Sequence, residues 1–349
     1  MISTIIKNLK SDLSKREEEV LDLRFGLKGQ RKSLSEIGRK YGITRERVRQ
    51  IQNKILKNLG TKIKESLELK PIFKAIDKAF KETNDFKILD SLFDDLKIKY
   101  SLDEKEKPYL YLLLSIIPEI EKIKADDFHH QFFVKNIKSK KIKTFFHHIS
   151  FHFENKKLKW QDFVAEVKKE FEKVTNEKLN EKTIEEILLI SHHLWVNPFN
   201  EAGHLSSPFI VPKNTGHKIL SIFYYHNRPL HYKEIYEELL KIAQKHHRLI
   251  HPNWKEVPTL PTIHNELIFR PEFVIAGRGL YALKEWNYSG LFVKDLILEI
   301  LENSKKPISQ DELIKLVLGK KLVKPNTVKV ILHQLKDKIK ILPNGLISL

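Results

Sequence analysis

Arginine side chains are concentrated near the N-terminus of this 349-residue chain, where their chemistry suits the binding of phosphates and guanine bases. Seven of the eleven arginines lie within 34 residues, namely Arg16, Arg24, Arg31, Arg39, Arg45, Arg47 and Arg49. The next arginine is Arg228, although lysine is abundant throughout the chain. Because a guanidinium group offers a planar, bidentate set of donors that lysine lacks, a local cluster of arginines indicates recognition rather than a generally basic composition.

The overall charge indicates the same class of partner. Lysine and arginine number 63 against 45 acidic residues, which leaves a net charge of +18. Such an excess favours polyanions, most often nucleic acid. The absence of cysteine excludes disulfides, thiolate metal sites and cysteine nucleophiles, and it fits a reducing compartment.

No segment of the sequence predicts a membrane span or a secretion signal. The longest apolar run, residues 109–117, is far shorter than the roughly 20 residues that cross a bilayer. Residues 1–7 lack the apolar core of a signal peptide. We therefore expect a cytoplasmic, nucleoid-associated protein with no membrane partner.

The arginine cluster ends in a predicted helix-turn-helix. Ser33 and Glu36 have the spacing of a capping box, which predicts the start of a first helix. Gly42 supplies the tight turn, since glycine tolerates positive φ, and Thr44 is a typical N-cap for the second helix. Two short helices joined through a glycine turn are typical of this DNA-binding motif.

The second helix has an apolar stripe and an opposite polar arc. The predicted stripe contains Val48, Ile51, Ile55 and Leu59. In a helix-turn-helix the start of this helix enters the major groove, where Arg contacts guanine, Gln contacts adenine and Glu accepts from cytosine. Lysines further along suit phosphate. The predicted DNA-binding residues are Thr44, Arg45, Glu46, Arg47, Arg49, Gln50, Lys54 and Lys57.

Three runs of sequence carry a family resemblance. Residues 13–27, 34–38 and 43–51 resemble region 4 of the primary bacterial sigma factors, and the similarity extends over residues 11–59. In that family, region 4 docks on RNA polymerase and reads the promoter −35 element. The resemblance implies base-reading roles for the four matched residues Arg45, Glu46, Arg49 and Gln50. It places two further residues, Arg47 and Lys54, nearer the phosphates.

The chain also departs from that family. A complete sigma factor has, before region 4, a helical domain that binds the −10 element and melts DNA. Only a dozen residues precede Leu13, so we expect the melting module to be missing and the protein to be a regulator or accessory factor. The alternative is a distant melting domain within residues 61–200.

The remaining sequence predicts a mainly α, multi-domain protein with few strands, all late in the chain. After the module of residues 1–60, residues 61–196 have helical periodicity, and residues 197–216 read as a linker rich in proline, glycine and asparagine. Residues 217–288 and 289–349 each show three helices followed by a β-hairpin. This order predicts two winged helices.

Two runs of the first winged helix, residues 228–235 and 277–283, carry a second resemblance. Through them the segment of about residues 217–286 resembles the HARE-type domain of the RNA polymerase delta subunit. Possible secondary DNA contacts are Arg278, Lys329, His333 and Lys336. Three lysines before the last helix also suit phosphate: Lys320, Lys321 and Lys324.

No catalytic, cofactor or metal site is predicted. His148 and His152, like His247 and His251, have the i, i+4 spacing that can bind a metal on a helix. No third ligand is evident at diagnostic spacing, and neighbouring lysines oppose a cation, so we predict no metal. Walker A, Rossmann and nucleophile-elbow motifs are absent, and we expect no enzyme and no cofactor.

The sequence therefore predicts a sequence-specific, sigma-factor-like transcription factor that binds double-stranded DNA and core RNA polymerase during transcription initiation. Two alternatives stay open. One is a delta-like accessory subunit of RNA polymerase without sequence specificity. The other is a DNA-targeting subunit of a DNA modification or restriction system.

Overall fold

The structure is a computed structural model, and it describes residues 1–125, 129–135, 139–245, 247–304 and 306–349. Over these residues it contains sixteen α-helices and twelve short strands, and the strands form four three-stranded sheets. The predicted mainly helical, multi-domain fold is confirmed. None of the helices within the described residues is both long and apolar enough to cross a bilayer.

The chain divides into two compact units. The first consists of Met1–Glu154 and Trp160–Leu194, and the second of Asn155–Lys159 and Trp195–Leu349. The helices of the first unit are α1 (Ile2–Leu9), α2 (Lys15–Phe25), α3 (Leu34–Tyr41), α4 (Arg45–Glu65), α5 (Lys70–Glu82), α6 (Leu89–Tyr100), α7 (Lys107–Ile116), α8 (Ser139–His152), α9 (Trp160–Thr175) and α10 (Thr183–Ile190).

The first unit also contains a small sheet that the sequence analysis missed. Its strands are β1 (Phe86–Lys87), β2 (Ile120–Ile123) and β3 (Phe132–Lys135), in the order β1-β3-β2 with antiparallel pairing. Two of these strands lie more than 30 residues from β1, so their pairing leaves no local signal. The expectation that strands occur only late in the chain was therefore wrong.

Two separate hydrophobic cores stabilise the helix-turn-helix and its surroundings. A small core joins α2, α3 and the start of α4 through Val20, Ile37 and Val48. A much larger core includes Ile55, Leu59 and the other buried residues of α1, α5, α6 and α7. The predicted domain boundary at residues 60 and 61 falls inside α4, because this helix continues from the small core into the large one.

The second unit contains a small sheet, and one of its strands lies in the region that we expected to be a linker. Its strands are β4 (Lys157–Lys159), β5 (Leu194–Val196) and β6 (Glu201–His204), in the order β4-β6-β5. β4 and β6 are antiparallel, and Ala202 and Ile210 are fully buried. Residues 197–216 are therefore an ordered part of the unit, since β6 pairs with β4 and several apolar side chains of the segment are buried despite its polar composition.

Two winged helices complete the second unit. Their elements are α11 (Thr215–His226), β7 (Leu230–His231), α12 (Tyr232–Gln244), α13 (Leu260–Phe269), β8 (Phe273–Gly277) and β9 (Leu280–Leu283), then α14 (Val293–Asn303), β10 (Ile308–Ser309), α15 (Gln310–Lys320), α16 (Pro325–Gln334), β11 (Lys340–Ile341) and β12 (Leu346–Ser348). Both predicted hairpins are present. In each winged helix a two-residue strand, β7 or β10, lies between the first two helices and pairs with the hairpin as a third strand.

A buried lysine joins the two winged helices. The Nζ atom of Lys321 donates to the carbonyl oxygens of Ile275 at 3.0 Å and Ser289 at 3.3 Å, and also to that of Leu291. Burial lowers the pKa of Lys321. The expectation that this lysine contacts phosphate was wrong, because its charged group faces three carbonyl oxygens instead of solvent.

Candidate nucleic-acid interface

Local hydrogen bonds define the helix-turn-helix as the sequence predicts. The backbone nitrogen of Ser33 donates to Glu36 Oε2 at 2.7 Å, and the backbone nitrogen of Glu36 donates to Ser33 Oγ at 3.2 Å. The backbone hydrogen bond from Ser33 lowers the pKa of Glu36. Gly42 adopts a left-handed conformation with φ of 62°, and Thr44 caps α4 by accepting from the Arg47 nitrogen at 3.1 Å. These interactions confirm both predicted helix starts and the glycine turn.

A second glycine makes the turn tight. The carbonyl oxygen of Gly38 accepts from the backbone nitrogens of Gly42 and Ile43. A Cβ atom on Gly38 would lie 2.7 Å from the Ile43 carbonyl oxygen, well inside normal contact. Only glycine therefore fits here without opening the angle between α3 and α4.

Gly38→Ala should destabilise the helix-turn-helix by about 1–3 kcal/mol, because backbone atoms must shift to admit the methyl group. Native-state hydrogen exchange of the α3 and α4 amides measures this loss. Gly319→Ala is the matched control, since Gly319 is also helical and a Cβ there meets nothing within 4 Å. The control should be neutral or stabilising by up to about 1 kcal/mol. Equal effects of the two substitutions would contradict the steric account.

The first turns of α4 present the predicted polar arc to solvent. Val48 is fully buried beneath α2 and α3. All eight predicted DNA-binding residues are exposed: Thr44, Arg45, Glu46, Arg47, Arg49, Gln50, Lys54 and Lys57. The structure therefore brings them together on one accessible face, while the apolar side of the helix fixes its orientation.

Several side chains of this arc are paired with each other. Arg49 donates from Nε and Nη2 to the two carboxylate oxygens of Glu46 at 2.8 and 2.7 Å. This pair lowers the pKa of Glu46 and raises that of Arg49. Arg47 donates to Gln50 Oε1 at 3.1 Å. Since exposed pairs of this kind are weak, they hold the side chains in place without preventing exchange for a base or phosphate.

The seven clustered arginines do not all have the same environment. Arg24 is half-buried, donating to Gln52 Oε1 at 3.0 Å and to the Lys32 carbonyl at 3.2 Å, and burial lowers its pKa. The guanidinium carbon of Arg31 lies 4.8 Å from the centre of the Tyr111 ring. These two arginines make internal contacts. The arginine cluster therefore includes residues with structural roles, and the sequence alone could not separate these from the exposed arginines of the polar arc.

One exposed arginine near the arc was not assigned a role from the sequence. Arg16, at the start of α2, lines a concave surface with Arg47, Gln50 and Lys54 of α4. Lys54 also donates to Glu17 at 3.2 Å, so α2 and α4 form one polar surface here. In the sequence, the membership of Arg16 in the arginine cluster could have indicated this position.

The secondary candidates lie on the two winged helices. Arg278 occupies the turn between β8 and β9 and is exposed. Lys329 and His333 are exposed on α16, and Lys336 follows the end of that helix. Their accessibility fits contacts to a DNA backbone.

The structure alters one premise of the metal prediction. His148 and His152 lie beside two carboxylates of α9: Glu170 Oε2 is 2.6 Å from His148 Nε2, and Glu166 Oε1 is 2.5 Å from His152 Nε2. Acidic partners are therefore present, contrary to the expectation. The other pair, His247 and His251, lies beyond the end of α12 at Gln244, so its spacing does not place both side chains on one helical face.

Comparison with known proteins identifies the first part of the chain. Residues 11–60 match the family described as "Sigma-70, region 4". We call this segment the region 4 domain, after the family that it matches. It contains α2, α3 and most of α4, so the polar arc belongs to it.

The region 4 domain is similar to the corresponding part of named sigma factors. "RNA polymerase sigma factor SigA" of Listeria monocytogenes and of Listeria innocua are each 49% identical over 55 residues, and SigA of a Bacillus species is 47% identical over 55 residues. Each alignment covers 16% of this chain and 15% of the relative. The chain therefore aligns with only a small part of these relatives, about the length of one region 4 domain.

Proposed function

We propose that this protein is a sequence-specific DNA-binding transcription factor that reads a −35-like promoter element through α4 and contacts RNA polymerase. The observation that carries the proposal is the exposed arc of a region 4 domain whose opposite face is locked into a core by Val48. Such an arrangement holds base-reading groups on a rigid element, as major-groove recognition requires.

Each residue of the arc has a proposed role. Base edges are read by Arg45, Glu46, Arg49 and Gln50, whose side chains suit guanine, cytosine, guanine and adenine respectively. Arg47, Lys54 and Lys57 contact phosphate, with Thr44 as the cap that positions the helix, and we add Arg16 to the phosphate contacts. The paired state of Glu46 and Arg49 means that both side chains rearrange together when the helix enters the groove.

Core RNA polymerase is the proposed protein partner. The named relatives are RNA polymerase sigma factors, and this chain shares with them the region 4 domain. We further propose that the winged helix at residues 217–286 is of the HARE type. Its wing and α16 of the last winged helix then add sequence-blind contacts to DNA through Arg278, Lys329, His333 and Lys336.

Selection of bound sequences from random double-stranded DNA with the purified full-length protein tests the proposal. We expect enrichment of one short motif, and poor competition by a scrambled version of it. If scrambled DNA competes equally, the protein binds only the backbone, and the accessory-subunit alternative replaces the promoter-reading one. Co-elution with core RNA polymerase tests the second partner, and Arg49→Ala should co-elute as well as the unmodified chain.

A further inference from the structure

Two neighbouring helices of the first unit face each other with a matched set of polar side chains. α8 presents His148 and His152 one turn apart, and α9 presents Glu166 and Glu170 one turn apart. His148 pairs with Glu170 and His152 with Glu166, at 2.6 and 2.5 Å. The crossed order of the pairs shows that the two helices are antiparallel and that each histidine has a carboxylate beside it.

The distances within this cluster are close to those of a metal site. The ligand atoms of His148, His152 and Glu170 all lie within 4.8 Å of one another. Around a tetrahedral zinc ion with bonds of about 2.0–2.2 Å, neighbouring ligand atoms are about 3.4 Å apart. The three side chains would therefore close around an ion when it binds.

The framework behind the cluster is rigid. The rings of Phe145 on α8 and Phe171 on α9 are both fully buried, with centroids 4.9 Å apart. Glu170 itself is only 5% exposed, and its hydrogen bond with His148 lowers the pKa of its carboxyl group. A nearly buried carboxylate held beside an imidazole ring offers an oxygen and a nitrogen donor in one place, as a divalent cation requires.

One lysine competes for this carboxylate. The Nζ atom of Lys173 lies 3.5 Å from Glu170 Oε2, but its side chain is 67% exposed. A long, exposed side chain can turn toward solvent at little cost, so Lys173 does not block a cation.

We propose that His148, His152 and Glu170, with Glu166 as a fourth ligand, form a binding site for a divalent transition-metal ion such as Zn²⁺. Two imidazoles and carboxylate oxygens are donors that suit zinc, cobalt or nickel, whereas magnesium and calcium require oxygen ligands. The ion would cross-link α8 to α9 and stabilise the first unit. This metal site is separate from the polar arc of α4, and the proposal does not depend on the proposed function.

Metal titration of the full-length protein tests the site. Protein treated with a chelator and dialysed is titrated with Co²⁺, whose visible absorption reports nitrogen and oxygen coordination, and with Zn²⁺ in competition with a chromophoric chelator. His148→Ala, His152→Ala and Glu170→Gln remove one ligand each. His147→Ala is the matched control, because it removes a neighbouring exposed histidine of α8 that is outside the cluster.

We expect one ion per chain and a higher thermal unfolding temperature with Zn²⁺ but not with Mg²⁺. Each ligand substitution should weaken zinc binding by at least about 10-fold and abolish the thermal shift, whereas His147→Ala should leave both unchanged. Lys173→Ala should bind zinc at least as tightly as the unmodified chain. If the double variant His148→Ala/His152→Ala binds zinc as tightly as the unmodified chain, the proposed site does not exist.

Discussion

Val48→Asp is expected to abolish DNA binding by unfolding the helix-turn-helix. Val48 is fully buried against Val20 of α2 and Ile37 of α3. The surrounding partly buried side chains are also apolar or uncharged: Leu23, Leu34, Tyr41, Ile43 and Ile51. A carboxylate at this position has no cationic partner in the small core, and burying it should cost about 4 kcal/mol or more.

Hydrogen exchange and DNA titration measure the two effects of Val48→Asp. Amides of α3 and the first half of α4 should lose protection, while those of α5 and α7 keep it, because those helices belong to the separate large core. Gln50→Asp is the matched control, since it introduces the same carboxylate on the exposed side of α4. The control should stay fully protected. Normal protection of α3 in Val48→Asp would contradict the packing described here.

Arg49→Ala and Lys57→Ala are expected to weaken DNA binding in different ways. Loss of a bidentate contact to guanine should reduce affinity for the preferred site by about 5- to 150-fold. Loss of a phosphate contact should weaken binding to all sequences similarly and lower the salt dependence by about one counterion. Titrations of the preferred and a scrambled site at several salt concentrations separate the two effects.

The Arg49→Ala experiment needs a control for the negative charge of Glu46. In the free protein the Arg49 side chain neutralises the Glu46 carboxylate, so Arg49→Ala also leaves a negative charge facing DNA. The double variant Glu46→Gln/Arg49→Ala removes this charge. It should recover binding to scrambled DNA but not the preference for the selected site. Full recovery of that preference would show that repulsion by Glu46, and not loss of a base contact, explains the single variant.

The parts of the fold that the sequence predicts are those encoded by neighbouring residues. The capping box, the glycine turn and the N-cap of α4 act over three or four positions, and all are observed. The same holds for the hairpins of the winged helices, where Gly279 and Gly345 adopt positive φ as their turns require. The exposure of the polar arc follows from the apolar stripe of α4, so the sequence predicts which side of this helix faces solvent.

The features that the sequence did not predict depend on distant contacts. β7 and β10 have two residues each and become strands only because β9 and β12 pair with them. Lys321 resembles its exposed neighbours in sequence, and only the packing of one winged helix on the other buries it. The partnership of His148 with Glu170 joins residues 22 positions apart on different helices, so spacing within one helix could not reveal it.

The most direct test of the promoter-reading function compares the sequence preferences of three proteins. Selection from random DNA is carried out with the unmodified chain, Arg49→Ala and Lys57→Ala. We predict that Arg49→Ala loses preference at one position of the motif and that Lys57→Ala keeps the whole motif at lower affinity. If both variants give the unmodified motif, each merely with weaker binding, Arg49 is a backbone contact and α4 does not read the promoter through it.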